Sequence, residues 1–193
     1  MYFATVAFER KIQMNKKILW ITRTAIFTAL LVALQYITKP MSQLVTGSCV
    51  NFVLAVAALT SGYWSAFTVA AISPFFALLL GIAPPIIWFT PMIALGNIVL
   101  VTILWLIANK AAKKYSLKNI FVSAGGAIVS AAAKFATLWL GVVVILVPLL
   151  NLPQAQATKF STMFTWPQLF TALIGTGIAI FVAPIVKKAI RSK

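Results

Sequence analysis

The sequence has no histidine, no aspartate and a single glutamate, Glu9. Acid–base catalysis and metal coordination draw chiefly on those side chains, so most enzyme chemistry is excluded and no metal or cofactor is expected. The lone cysteine, Cys49, cannot close an internal disulfide; it reads as a small apolar filler. No Gly-x4-Gly-Lys-Ser/Thr run is present, so the chain lacks the phosphate-cradling loop of a nucleotide hydrolase. No carboxylate or imidazole interrupts the apolar runs, which excludes the usual intramembrane proton relay. Uphill movement of a solute would need an energising partner.

What is present is mostly apolar. Hydrophobic residues make up 62% and charged residues 9% of the 193 residues, and the mean hydropathy is +1.03. Soluble domains hold roughly a quarter charged residues. A crossing helix needs about 20 apolar residues, so the chain has room for about six crossings and no separate soluble domain.

The net charge of +15 is concentrated. Twelve of the sixteen cations form three clusters: Arg10, Lys11, Lys16 and Lys17; Lys110, Lys113, Lys114 and Lys118; Lys187, Lys188, Arg191 and Lys193. Basic clusters beside apolar spans mark the cytoplasmic edge of a membrane protein and attract anionic lipid headgroups. No soluble basic face remains to hold nucleic acid.

Six spans are expected, at about 18–37, 47–60, 64–82, 91–109, 119–150 and 167–186. Residues 1–13 read as a leader or start-site extension outside the fold, since Met14-Asn15-Lys16-Lys17 resembles a start. Residues 14–193 then form a single six-helix domain. Pro74 should kink the third span. The fifth is longer than a bilayer core. It must tilt, break near Gly125-Gly126, or project beyond the membrane near Pro148. A polar loop is expected over 151–166. Six spans put both termini and all three clusters on one side, the cytoplasm by the positive-inside rule. The fold class is therefore an all-α membrane protein with six transmembrane helices and cytoplasmic termini.

Lys134 is the exception to the charge pattern. It lies inside the fifth apolar run, where an ammonium costs about 2.5–3.5 kcal/mol, and no span carries a carboxylate to neutralise it. It must snorkel, lose its proton, contact carbonyls or meet an anion from outside. Ser130 shares its helix face, the arrangement of a Ser–Lys hydrolase, though no third group supports such chemistry. Gln43, Asn51, Asn97 and Gln168 cluster toward the outer ends of the spans. Amides there suit a polar solute or interhelical hydrogen bonds. Trp88, Trp139 and Trp166 also fall toward that side as belt anchors, with Trp88, in a proline-bracketed loop, the alternative cover for a ligand. Ala25, Ala29 and Ala33 form a stripe on one face of the first span, which lets another helix approach closely.

These residues together resemble the substrate-capture (S) components of energy-coupling factor transporters. The resemblance rests on the six-span pattern, the Ala25-x3-Ala29-x3-Ala33 stripe and Thr22-Arg23-Thr24-Ala25. It extends to Gly47-Ser48-Cys49-Val50-Asn51, Ser73-Pro74-Phe75-Phe76, Ile93-Ala94-Leu95-Gly96-Asn97, and Lys134-Phe135 through Leu138-Trp139-Leu140. It covers about residues 15–193 and implies a non-enzymatic subunit of a prokaryotic plasma membrane. Such a subunit binds a vitamin near the outer face, in a pocket built from spans four to six and the outer loops, and a gate is implied over 38–48. Carried over, the pocket residues are Gln43, Asn51, Trp88, Asn97, Lys134, Trp139 and Gln168. The alanine stripe would dock on a transmembrane coupling protein (T component) joined to two cytoplasmic ATPases. Among vitamins, pantothenate is the first choice and cobalamin the main rival. A stand-alone anion channel or facilitator is the alternative of another class.

Overall fold

The computed structural model describes residues 2–111 and 116–191. Lys113, Lys114 and Lys193 of the basic clusters lie outside the described residues. Within them all the regular structure is helical: α1 (Tyr2–Thr38), α2 (Gln43–Thr60), α3 (Tyr63–Leu79), α4 (Phe89–Ala108), α5 (Leu117–Leu138), a π-helical continuation (Trp139–Leu146), α6 (Val147–Leu149), α7 (Gln154–Met163) and α8 (Trp166–Arg191). Five stretches are long and apolar enough to cross a membrane, including Lys16–Thr38 of α1, and α3 is a shorter apolar helix of 17 residues. This is the all-α, multi-span architecture expected from the hydropathy. The backbone of 2–13, read from sequence as a leader, continues α1.

The helices form a bundle around α2, which packs on α1, α3, α4 and α8. Burial along α2 is nearly continuous from Val53 to Leu59, as befits a helix enclosed by neighbours. Glycines permit the closest contacts. A Cβ added at Gly175 of α8 would lie 2.6 Å from the Phe52 amide nitrogen and 2.6 Å from the Ser48 carbonyl of α2. At Gly47 it would meet Thr171, and at Gly96 it would meet Leu138.

The turns follow their residues. Ser61-Gly62 separates α2 from α3, with Gly62 at φ 94°. Leu79 ends α3. Gly81 follows at φ 63°, its amide bonds the Leu78 carbonyl, and the Ile82 amide bonds the Ala77 carbonyl. This is the Schellman closure that glycine favours. Pro91 falls in the first turn of α4, which starts two residues earlier than expected, at Phe89.

Two segments depart from the sequence reading. The fifth span neither breaks at Gly125-Gly126 nor runs as one α-helix; its pairing widens to the π form from Trp139 to Leu146. Leu138, Val142 and Leu146 stay buried at four-residue spacing through this stretch. The polar loop expected over 151–166 contains α7. Its sequence, Gln-Ala-Gln-Ala-Thr-Lys-Phe, consists largely of good helix formers, and Phe160, with Phe164 just beyond, secures it. Both rings pack on Phe89, at centroid separations of 5.1 and 5.6 Å.

Hydrogen bonds sort the helix ends into two groups. Thr24 meets Ser65 at 2.8 Å, Tyr63 stacks near Trp105, and the Lys187 ammonium donates to the Asn109 carbonyl at 3.3 Å. The α2–α3 turn, the end of α4 and the end of α8 therefore lie together. The α1–α2, α3–α4 and α7–α8 connections lie at the opposite end.

The α2–α8 contact sets a clear expectation. Gly175→Ala forces two backbones apart and should lower stability by roughly 1–3 kcal/mol, the usual cost of overpacking. Gly177→Ala, where an added Cβ meets nothing within 4 Å, should leave the melting temperature in detergent unchanged or slightly higher.

Candidate functional site

Lys134 is the centre of the site. It projects from the buried face of α5, which also carries Gly126, Ala127, Ser130, Ala131 and Leu138 at three- and four-residue spacing. The side chain is 3% exposed. Its ammonium donates to Asn51 Oδ1 of α2 at 2.6 Å and to Asn97 Oδ1 of α4 at 2.7 Å. Both asparagines are themselves buried. Asn51 Nδ2 in turn donates to the Gly47 carbonyl at 2.9 Å and to Thr171 Oγ1 of α8 at 3.3 Å. Four helices thus meet in one hydrogen-bonded network. Of the possibilities open at the sequence level, the lysine takes carbonyl contact, supplied by side-chain amides rather than by backbone.

The network contributes to a cavity of about 520 Å³ at the end of the bundle that holds the α1–α2 and α3–α4 connections. Asn51, Asn97 and Lys134 supply its buried polar part. Pro74 and Ala77 of α3, with Ile82 and Pro84 beyond it, form an apolar wall. Gln43 and Gln168 also line it, and both donate to the Met163 carbonyl, at 2.8 and 3.2 Å. They thereby tie the α7–α8 connection to the start of α2.

Five of the seven residues expected at a pocket therefore meet at one cavity: Gln43, Asn51, Asn97, Lys134 and Gln168. Trp88 and Trp139 do not line it. Trp88 precedes α4 at the turn, where Phe89 takes the interior position and leaves the indole 62% exposed. Trp139 is five residues past Lys134, about 140° round an α-helix, and is 41% exposed. The expected gate over 38–48 is mostly helix, since α2 begins at Gln43 and only four residues separate it from α1. The pocket is also not confined to spans four to six; α1, α2 and α3 all line it.

The expected pocket residues did not include Gln35, Lys39, Thr46 and Lys159, which line the same cavity, though Lys39 and Thr46 fall within the expected gate segment. A signal for two of them was present: Lys39 and Lys159 are the only cations in the connections opposite the basic clusters. Gln35 gave none, being one amide in a long apolar helix.

The alternative Ser–Lys pairing is not formed. The Ser130 hydroxyl donates to the Ala127 carbonyl at 3.0 Å, and the two short contacts of the Lys134 ammonium go to the asparagines. The alanine stripe faces outward. Ala25, Ala29 and Ala33 are all exposed, and only 17% of the crossing stretch of α1 is buried, the least of the five long spans. Nothing in the described chain covers that face.

The family model for the ECF transporter substrate-specific component matches residues 19–187. The chain belongs to that family. It is a multi-pass membrane subunit that binds substrate for a vitamin-uptake transporter; such subunits are not themselves enzymes and work with a T component and ATPases. No curated protein and no solved structure matches the chain.

The lysine network yields a stability prediction. Asn97→Leu removes one of two acceptors from a buried ammonium and should cost roughly 1–3 kcal/mol. The double change Asn97→Leu with Lys134→Met removes the cation as well and should recover part of that loss. Thermal unfolding of the purified variants in one detergent measures both.

Proposed function

We propose that the chain captures pantothenate, or a vitamin acid of similar size, in the cavity above Lys134. The carrying observation is one buried ammonium, held by two neutral oxygens, beside a cavity with no acidic residue among its lining. Amide oxygens orient the cation but do not cancel its charge, and at a buried position that charge acts more strongly on a solute than it would in water. An anion is the complementary ligand of a cavity that also carries Lys39 and Lys159. The cavity volume falls in the range usual for small-molecule sites. It favours a compact acid over cobalamin, whose corrin ring and nucleotide loop need far more room.

The basic clusters then face the cytoplasm of a prokaryotic plasma membrane and the cavity faces outward. The solute passes inward once the subunit docks on its T component, driven by two ATPases. The exposed stripe of Ala25, Ala29 and Ala33 is the docking face in this reading. A stand-alone anion channel fits less well. Beneath the lysine network, fully buried Leu54, Leu100, Val101 and Ala131 form an apolar floor to the cavity.

Two measurements test the reading. Titration of the purified protein with a vitamin panel should identify a bound acid. Lys134→Ala should weaken it at least tenfold, about 1.4 kcal/mol; unchanged affinity removes the lysine from the site. Ala29→Trp should keep solute binding and abolish uptake by cells that express the whole transporter. Normal uptake by that variant counts against the stripe.

A further inference from the structure

Two cations at the rim of the cavity take no part in the network below. Lys39 follows α1 and Lys159 sits on α7, and both are exposed where they line the cavity. Neither ammonium has a hydrogen-bond or ion-pair partner among the described residues. The Lys39 ammonium reaches the turn that ends α3, 3.8 Å from where a Cβ on Gly81 would stand, and the carbonyl end of a helix attracts a cation. Lys159 rides on a helix whose aromatic neighbour Phe160 is buried against Phe89.

Lys134 offers something different. An ammonium has three donors, and two are given to Asn51 and Asn97. Those two bonds leave its charge uncancelled but occupy two of its three donor directions. One donor remains. Gln35 is 9% exposed and lines the cavity; its Oε1 is buried and accepts no hydrogen bond, and a turn of the side-chain amide would bring it to the solute. One donor and one unused acceptor match a hydroxyl or an amide, which both gives and receives. The rim lysines, with every donor unengaged, match a carboxylate or phosphate.

We infer that Lys39 and Lys159 form a cationic clamp for the acidic group of the solute. Its neutral end, bearing a hydroxyl or amide, lies against Lys134 and Gln35. This rests on the cavity being the capture site, as proposed above. The clamp, rather than the buried lysine, then decides between an acid and its neutral derivative.

The test compares vitamins offered in two forms: pantothenate and panthenol, biotin and biotinamide, nicotinate and nicotinamide. Each is titrated into the full chain in detergent at low salt, as wild type, as Lys39→Gln with Lys159→Gln, and as Lys134→Gln. The wild type should bind one acid at least tenfold more tightly than its neutral form. The double rim variant should lose that preference through weaker acid binding alone. Lys134→Gln should weaken both forms by a similar factor and keep the preference. The rim side chains are exposed, so their variants should melt like the wild type.

Equal binding of both forms by the wild type overturns the clamp and leaves the capture reading intact. So does a preference that survives in the double rim variant, or one that vanishes with Lys134→Gln instead. Failure of every acid in the panel to bind the wild type overturns the capture reading and the clamp together.

Discussion

An ammonium cannot sit among hydrocarbon without acceptors, and the chain has no carboxylate in its spans to offer. The bonds from Lys134 to Asn51 and Asn97 meet that demand, and much of the bundle follows from them. They require α2, α4 and α5 to bring their polar residues to one depth. Through Thr171 the requirement extends to α8. The register of four helices is thereby tied to a single nitrogen, a specifying role often filled by buried polar groups.

Satisfying the hydrogen bonds is not the same as cancelling the charge. Two amide oxygens lower the energy of the cation and leave its field intact, and the lining of the adjoining cavity includes two further lysines and no acid. In the function proposed above, a site of this kind disfavours cations and attracts anions. Its apolar wall, made by Pro74 and its neighbours, sets shape without competing for charge. Proline suits that wall because it presents a rigid surface and carries no amide proton of its own.

Much of this was legible in the sequence because the bilayer leaves few options. Hydropathy gave the spans, and a lone lysine among alanines marked the candidate site. The amides Asn51 and Asn97 stood out for the same reason, as polar groups in apolar runs. The tryptophans misled because depth was readable and direction was not; Trp139 lies at the right level on the wrong side of its helix. α7 was hidden because its polar face resembles a loop, while the packing of Phe160 and Phe164 on Phe89 is a contact between distant segments. Gln35, Lys39 and Lys159 join the cavity for a similar reason. Each comes from a different element, and only the fold brings them together.

Gly175 carries a last implication. There α2 and α8 meet backbone to backbone, with no side chain between them at the point of closest approach. The two helices should behave as one stiff spine through any transport cycle. Freedom then belongs to the parts held more lightly: α1, with most of its surface outside the bundle, and α7, pinned chiefly by aromatic rings. A solute that touches both would be felt at the periphery of the molecule while its axis stays still.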